Sequence, residues 1–120
     1  MYTAIVLEKP LRWLGSSLED LHAFPDDARR AAGYQIGRVQ QGLMPSDWKP
    51  MTTVGAGVFE IRVHTGVEHR IFYVAKYEQA VYVLHAFEKR TRRTPQAEIS
   101  LARKRLADLL GSRTQKQEAP

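Results

Sequence analysis

The sequence predicts an α+β domain, a helical hairpin packed on a small antiparallel sheet with a further C-terminal helix. Three observations carry this. Apolar side chains recur at helical spacing between residues 18 and 39, alternate with polar ones from residue 59 onward, and return to helical spacing after Pro95. The chain has 120 residues, 43% of them hydrophobic and 26% charged, which fits one compact domain with a modest core. Residues 1–111 are assigned to that domain and 112–120 to a polar, flexible tail.

The elements follow in the order β, α, α, β, β, β, α, with no internal repeat. Ala4 to Leu7 is a short apolar run that reads as a strand, and Leu11 to Leu14 continues or repeats the pairing before Gly15. Ser16-Ser17 offers an N-cap to a short helix from Leu18 to Phe24. Pro25 suits the first turn of a second helix, Asp26 and Asp27 complement its positive end, and Gly42 stops it. Ala28, Ala32, Ile36 and Val39 form its apolar stripe. Gly33 and Gly37 lower its helix propensity, and their spacing suggests a flat groove against which another backbone lies.

Residues 43–50, bounded by Pro45 and Pro50, read as a loop. Phe59, Ile61 and Val63 then alternate with Glu60, Arg62 and His64, the pattern of a strand with one buried and one wet face. Thr65-Gly66 supplies a turn into a second strand, Arg70 to Ala75, which makes a hairpin. Val81 to Phe87 is almost wholly apolar and belongs at the centre of the sheet. Thr94-Pro95 starts the last helix, striped by Ile99, Ala102, Leu106 and Leu109, and Gly111 ends it.

Charge is unevenly placed. Lys and Arg number 18 against 13 Asp and Glu, a formal net charge of +5, yet residues 1–87 hold nine of each sign. The excess lies in residues 88–120, where nine basic residues face four acidic ones, and a patch of this kind favours a polyanion such as nucleic acid or an acidic protein face. There is no cysteine, so thiol catalysis, disulfides and cysteine-based zinc sites are excluded. No apolar run approaches the ~18 residues of a membrane span, and Met1-Tyr2-Thr3 lacks the basic start of a signal peptide. The expected location is the cytoplasm, without membrane association.

The candidate chemistry gathers on the polar side of the hairpin. Glu60, Arg62 and His64 share a face, Arg70 lies across the turn, and Lys89-Arg90 follow the third strand, so four basic groups can surround one concave surface. Guanidinium groups grip phosphate bidentately and stay charged. Tyr73, Tyr77, Tyr82 and Phe87 offer stacking faces for unpaired bases. The competing reading pairs Glu60 with Arg62 on a solvated sheet face and places the tyrosines in the core. His22, His64, His69 and His85 invite acid–base roles, but none shows the spacing of a metal site, and the glycines of Val54-Gly55-Ala56-Gly57-Val58 precede no helix. Neither metal nor cofactor is expected.

Phe24-Pro25, Gly33-Tyr34, Gln40-Gln41-Gly42, Trp48-Lys49-Pro50-Met51, Phe59-Glu60-Ile61-Arg62, His69-Arg70-Ile71-Phe72-Tyr73, Leu84 to Thr91 and Thr94-Pro95 followed by Ala102 to Leu106 occur in an order that resembles phage-derived HigB-like toxins. These form a branch of the RelE/ParE superfamily of toxin–antitoxin systems. The resemblance implies a RelE-like, microbial RNase-like fold and a metal-independent endoribonuclease that cuts messenger RNA in the ribosomal A site. It places Arg70 against the scissile phosphate, with Lys89, Arg90 and Arg62 as further basic positions. Relatives often carry a tyrosine or histidine near the C-terminal end, and here neither follows His85. The base is therefore left among Glu60, His64, Tyr73 and Lys89. Arg92, Arg93, His64 and Phe87 complete the expected RNA-binding set. The resemblance also implies a cognate helix-turn-helix antitoxin, with operator DNA engaged only through the antitoxin complex. Two alternatives remain: a gyrase-inhibiting toxin of the ParE type, or a non-enzymatic antitoxin- or nucleic-acid-binding module.

Overall fold

The computed structural model describes residues 8–118. The strand expected over Ala4 to Leu7 lies outside the described residues. From there the chain runs β1 (Leu11–Trp13), α1 (Ser17–His22), α2 (Asp26–Gln40), β2 (Trp48–Pro50), β3 (Val58–His64), β4 (Glu68–Val74), β5 (Val81–Lys89) and α3 (Gln96–Glu118). The strands form one sheet in the order β1-β5-β4-β3-β2. The sheet is mixed. β2 to β5 are antiparallel, while β1 joins parallel to β5 through Leu11 opposite Val81 and Trp13 opposite Val83. A parallel neighbour needs a long crossover, which the segment from α1 to β4 provides.

Helices cover both faces, and the alternation of side chains decides which residues meet which helix. Ile61, Val63, Ile71, Tyr73, Val81 and Val83 pack with Leu21 and Phe24 around α1, and with Ala28, Ala32, Ile36 and Val39 of α2. The two fully buried alanines let α2 lie close to the sheet. On the other face Val58, Phe72, Val74, Leu84 and Phe87 pack with Ala102, Leu106 and Leu109 of α3, and with Met51 and Val54. This second cluster occupies the beginning of β3 and the end of β4. The opposite end of the same face carries Glu60, Arg62, Glu68 and Arg70, and α3 contributes no residue there.

Several boundaries differ from the sequence reading. The loop over residues 43–50 ends in β2, because Trp48–Pro50 pairs with Phe59 to Ile61 at the sheet edge, where a proline costs no ladder hydrogen bond. Helix α3 passes through Gly111 to Glu118. A helical glycine costs only about 1 kcal/mol, and the turn beyond it is held by Arg113, whose guanidinium stacks 3.6 Å over the Tyr77 ring. Gly42 does end α2, in the left-handed conformation at φ +83°. Among the described residues nothing lies within 4 Å of the place a side chain at Gly33 or Gly37 would occupy. The buried face of α2 is the opposite one, set by its alanines and Ile36.

Candidate functional site

Strand register builds the site. Arg62 of β3 stands opposite Arg70 of β4, Arg70 opposite Phe87 of β5, Lys49 of β2 opposite Glu60, and Glu68 opposite Lys89. Two arginines directly opposite one another repel. Glu60 resolves this from within the sheet. Its carboxylate is 1% exposed, with Oε1 accepting from Arg62 Nε at 3.1 Å and lying 3.6 Å from Arg70 Nε. Arg70, 5% exposed, also donates from Nη2 to Glu68 Oε1 at 2.9 Å and from Nη1 to the His69 carbonyl at 3.0 Å.

This network is incomplete in an informative way. At 3.6 Å the Glu60–Arg70 contact is an ion pair without a hydrogen bond, and both Glu60 Oε2 and Arg70 Nε are buried with no hydrogen-bond partner. An unsatisfied buried polar atom ordinarily costs about 1–3 kcal/mol, so this carboxylate oxygen and guanidinium N–H, both buried, make the cluster a destabilising feature of an otherwise apolar sheet. Lys89 completes the basic rim. Its ammonium is made more acidic first by desolvation and next by Arg70, with Glu60 opposing and Lys49 and Arg62 adding to the effect. Four cations, Lys49, Arg62, Arg70 and Lys89, thus surround two carboxylates, Glu60 and Glu68.

The sequence-predicted residues divide accordingly. Glu60, Arg62, Arg70, Phe87 and Lys89 come together. Tyr73 does not: it lies on the other face in the core beneath α1 and α2, and burial pushes its phenol up to about 12. The odd-numbered residues of β4 face those helices, so Tyr73 and Arg70 point oppositely. Arg90 turns outward and pairs with Glu88 at 3.2 Å, away from Lys89. Arg92 and Arg93 are exposed beyond β5, and the Arg92 carbonyl accepts from Lys89 Nζ at 3.0 Å. His64 sits at the exposed end of β3 between Asp47 and Glu68; hydrogen bonds to Asp47 and then Glu68 raise its pKa. The same His64 bond holds the Glu68 carboxyl below its usual range, with Arg70 adding to it. Glu60 is the residue whose surroundings alternation misreads, since its face is closed by the neighbouring strands and arginines rather than by water.

Two members were missed. Lys49 was assigned to a loop, and only its pairing with Glu60 brings it to the rim. Glu68 precedes the expected strand start, yet β4 begins there. His85 behaves as a core residue: its Nε2 donates to Glu98 at 2.8 Å, its Nδ1 faces Arg105 at 3.3 Å, and desolvation lowers its pKa. Among the described residues, no group of three or more His, Asp or Glu side chains is arranged to hold a metal ion. No helix among them is long and apolar enough to cross a membrane.

Residues 19–107 match the family model described as phage derived protein Gp49-like (DUF891). The matched span takes in α2, β2 to β5 and the first half of α3, and with them every residue of the basic site. A search of curated proteins finds no match. With three quarters of its length and the whole site inside that span, the chain belongs to the phage-derived Gp49-like family, which is related to the toxins of toxin–antitoxin systems.

Proposed function

We propose that this chain is the toxin of a type II toxin–antitoxin system, a HigB-like endoribonuclease that cuts messenger RNA in the ribosomal A site and so arrests translation. The observation that carries the reading is the Glu60–Arg62–Arg70–Lys89 cluster, in which a buried carboxylate oxygen and a buried guanidinium N–H have no hydrogen-bond partner.

The chemistry requires only these groups. Glu60 Oε2 takes the proton of a ribose 2′-hydroxyl, the 2′-oxygen attacks the adjacent phosphorus in line, and the bond to the 5′-oxygen breaks, leaving a 2′,3′-cyclic phosphate. Arg70 and Arg62 neutralise the charge that builds on the non-bridging oxygens. Lys89, made more acidic by its surroundings, donates a proton to the departing 5′-oxygen. Phe87, cross-strand partner of Arg70, stands where a base beside the scissile phosphate would stack. Arg92 and Arg93, exposed after β5, serve approach to the RNA.

A helix-turn-helix antitoxin is the expected partner, masking this face and carrying the complex to operator DNA. Tyr34 of α2 and the nearby Leu43 and Met44 are exposed and supply apolar area for such a contact.

Expression of the chain without an antitoxin should stop growth and produce new 5′ ends inside coding regions, mapped by primer extension. Growth arrest with intact messages and double-strand DNA breaks would transfer the assignment to a gyrase-directed toxin.

A further inference from the structure

All three nitrogens of Arg70 have a neighbour, and only one of those neighbours is exposed. Nη1 donates to the His69 carbonyl, Nε faces the buried Glu60 carboxylate, and Nη2 donates to Glu68 Oε1 at 2.9 Å. The Arg70 side chain is 6% exposed against 40% for that of Glu68. A phosphate approaching Arg70 from solvent therefore meets the Glu68 carboxylate first, a like charge seated on the donor that the phosphate needs. Exposed ion pairs are weak, so this is the Arg70 contact that exchanges most readily.

A second partner for Glu68 is already in place. His64 stands directly opposite it on β3, so the two side chains share a face, and His64 Nδ1 lies 2.7 Å from Oε1 and 2.8 Å from Oε2. The other ring nitrogen, Nε2, is bonded to Asp47 Oδ2. A carboxylate on each side requires a hydrogen on each nitrogen, which makes the ring an imidazolium and agrees with the raised pKa of His64. Asp47 is itself tied to the sheet, since its carbonyl accepts from the Arg62 N–H at 3.0 Å. Glu68 thus lies between two cations, His64 and Arg70, with Lys89 opposite it on β5. If it gives up Arg70 it keeps His64, and its charge is not left unpaired.

We propose that Glu68 is an internal competitor for phosphate: it holds the outward donor of Arg70 until an RNA phosphate displaces it onto His64. The inference rests on the endoribonuclease reading for the identity of the anion, and adds to it what guards the arginine. His64 is then a positioning residue that acts through Glu68. A carboxylate that merely braced Arg70 would have the opposite effect, since its removal would weaken the site.

The test is titration of the full chain with inorganic phosphate below pH 6.5, where His64 carries its proton, followed by the side-chain N–H resonance of Arg70. Glu68→Gln should bind phosphate about three- to fivefold tighter than wild type, the upper part of what an exposed ion pair is worth, and Glu68→Ala should move in the same direction. His64→Gln should bind about twofold weaker, because the whole Glu68 charge then bears on Arg70, and should make no difference in the Glu68→Gln background. Glu88→Gln makes the same change of charge on the opposite face of the sheet and should stay within about 1.5-fold of wild type.

Phosphate binding unchanged or weakened in both Glu68 variants overturns the proposal, as does a gain matched by Glu88→Gln, which would be a general effect of charge. An Arg70 resonance that phosphate moves in none of these proteins overturns it too. A His64→Gln effect that persists in the Glu68→Gln background removes the handover to His64. Primer extension on messages from cells expressing the wild-type chain keeps the two readings apart. Cuts without the Glu68 effect leave the nuclease standing and remove the competitor; the Glu68 effect without cuts leaves Glu68 guarding an anion site and removes the nuclease.

Discussion

Arg70 offers the sharpest test because its fold-stabilising and catalytic roles predict different things. Replacing it by methionine keeps the aliphatic bulk but removes the 3.6 Å ion pair to the Glu60 carboxylate, 1% exposed, leaving it the one to Arg62. Removing one partner of a buried ion pair costs about 3–5 kcal/mol. Glu60→Gln alone should cost less, about 1.5–3 kcal/mol, since the Arg70 guanidinium keeps its 2.9 Å bond to Glu68 and the amide can still accept from Arg62. The double variant has neither charge stranded, so its loss should fall short of the sum by about 2 kcal/mol. Urea denaturation of wild type, both singles and the double, with unchanged m-values, measures this coupling. Additivity within about 0.5 kcal/mol would refute the claim that Glu60 is what permits Arg62 and Arg70 to face each other. The double variant also separates folding from chemistry. Assayed at a temperature where its denaturation curve shows it folded, it should no longer arrest growth, and an arrest that persists would remove Glu60 and Arg70 from the reaction.

Three further outcomes follow from the same geometry. Tyr73→Phe should leave growth arrest unchanged and alter stability by no more than about 0.5 kcal/mol, because the phenol lies on the core face away from the arginines; loss of toxicity in a folded protein would return it to the site. His64 should titrate by NMR with a midpoint above its ordinary 6.5, raised by Asp47 and then Glu68. Because its folded pKa is raised, its contribution to stability is complete below 6.5 and lost as pH rises through the folded value, so His64→Gln should destabilise at about pH 5.5 and have no effect at about pH 9. Gly111→Ala should raise the thermal midpoint, worth about 0.5–1 kcal/mol, since it lies inside α3 with open space around a new Cβ, whereas Gly15→Ala, at φ +54° and 2.5 Å from the Arg105 guanidinium, should lower it.

Much of this fold was legible because period and chemistry agreed. Phe59 to His64 alternates apolar and polar side chains ahead of the Thr65-Gly66 turn, and the hairpin pairs around that turn with Arg62 opposite Arg70. Ala28, Ala32, Ile36 and Val39 are all buried, as their spacing predicts. What alternation does not carry is the layer above a face. Glu60 reads as a wet residue from its neighbours in sequence, and its burial comes from arginines brought alongside by register. The parallel pairing of β1 and the continuation of α3 past Gly111 are tertiary outcomes as well. In the second case the Arg113–Tyr77 stack outweighs a single glycine. Tyr73 was misplaced for a simpler reason: it is adjacent to Phe72 in a strand, and one residue along a strand is the opposite face.

The charge distribution gains its meaning from this layering. The net +5 resides in residues 88–120, yet three of the four cations in the site, Lys49, Arg62 and Arg70, come from residues 1–87, whose charges sum to zero. They act as a positive site because α3 stops short of them, not because the surrounding chain is basic. The same shortfall explains the buried carboxylate. Under a helix, Glu60 would be an unsupported charge; without any neighbour, Arg62 and Arg70 would repel. Held between them and still lacking a partner at Oε2, Glu60 both keeps the sheet together and leaves one acceptor open. Selection for stability alone would replace this trio with well-packed apolar residues, commonly neutral or stabilising by 1–4 kcal/mol. Holding it in an otherwise apolar sheet is therefore a cost to folding, the cost expected of residues kept for the proposed phosphate chemistry rather than for stability.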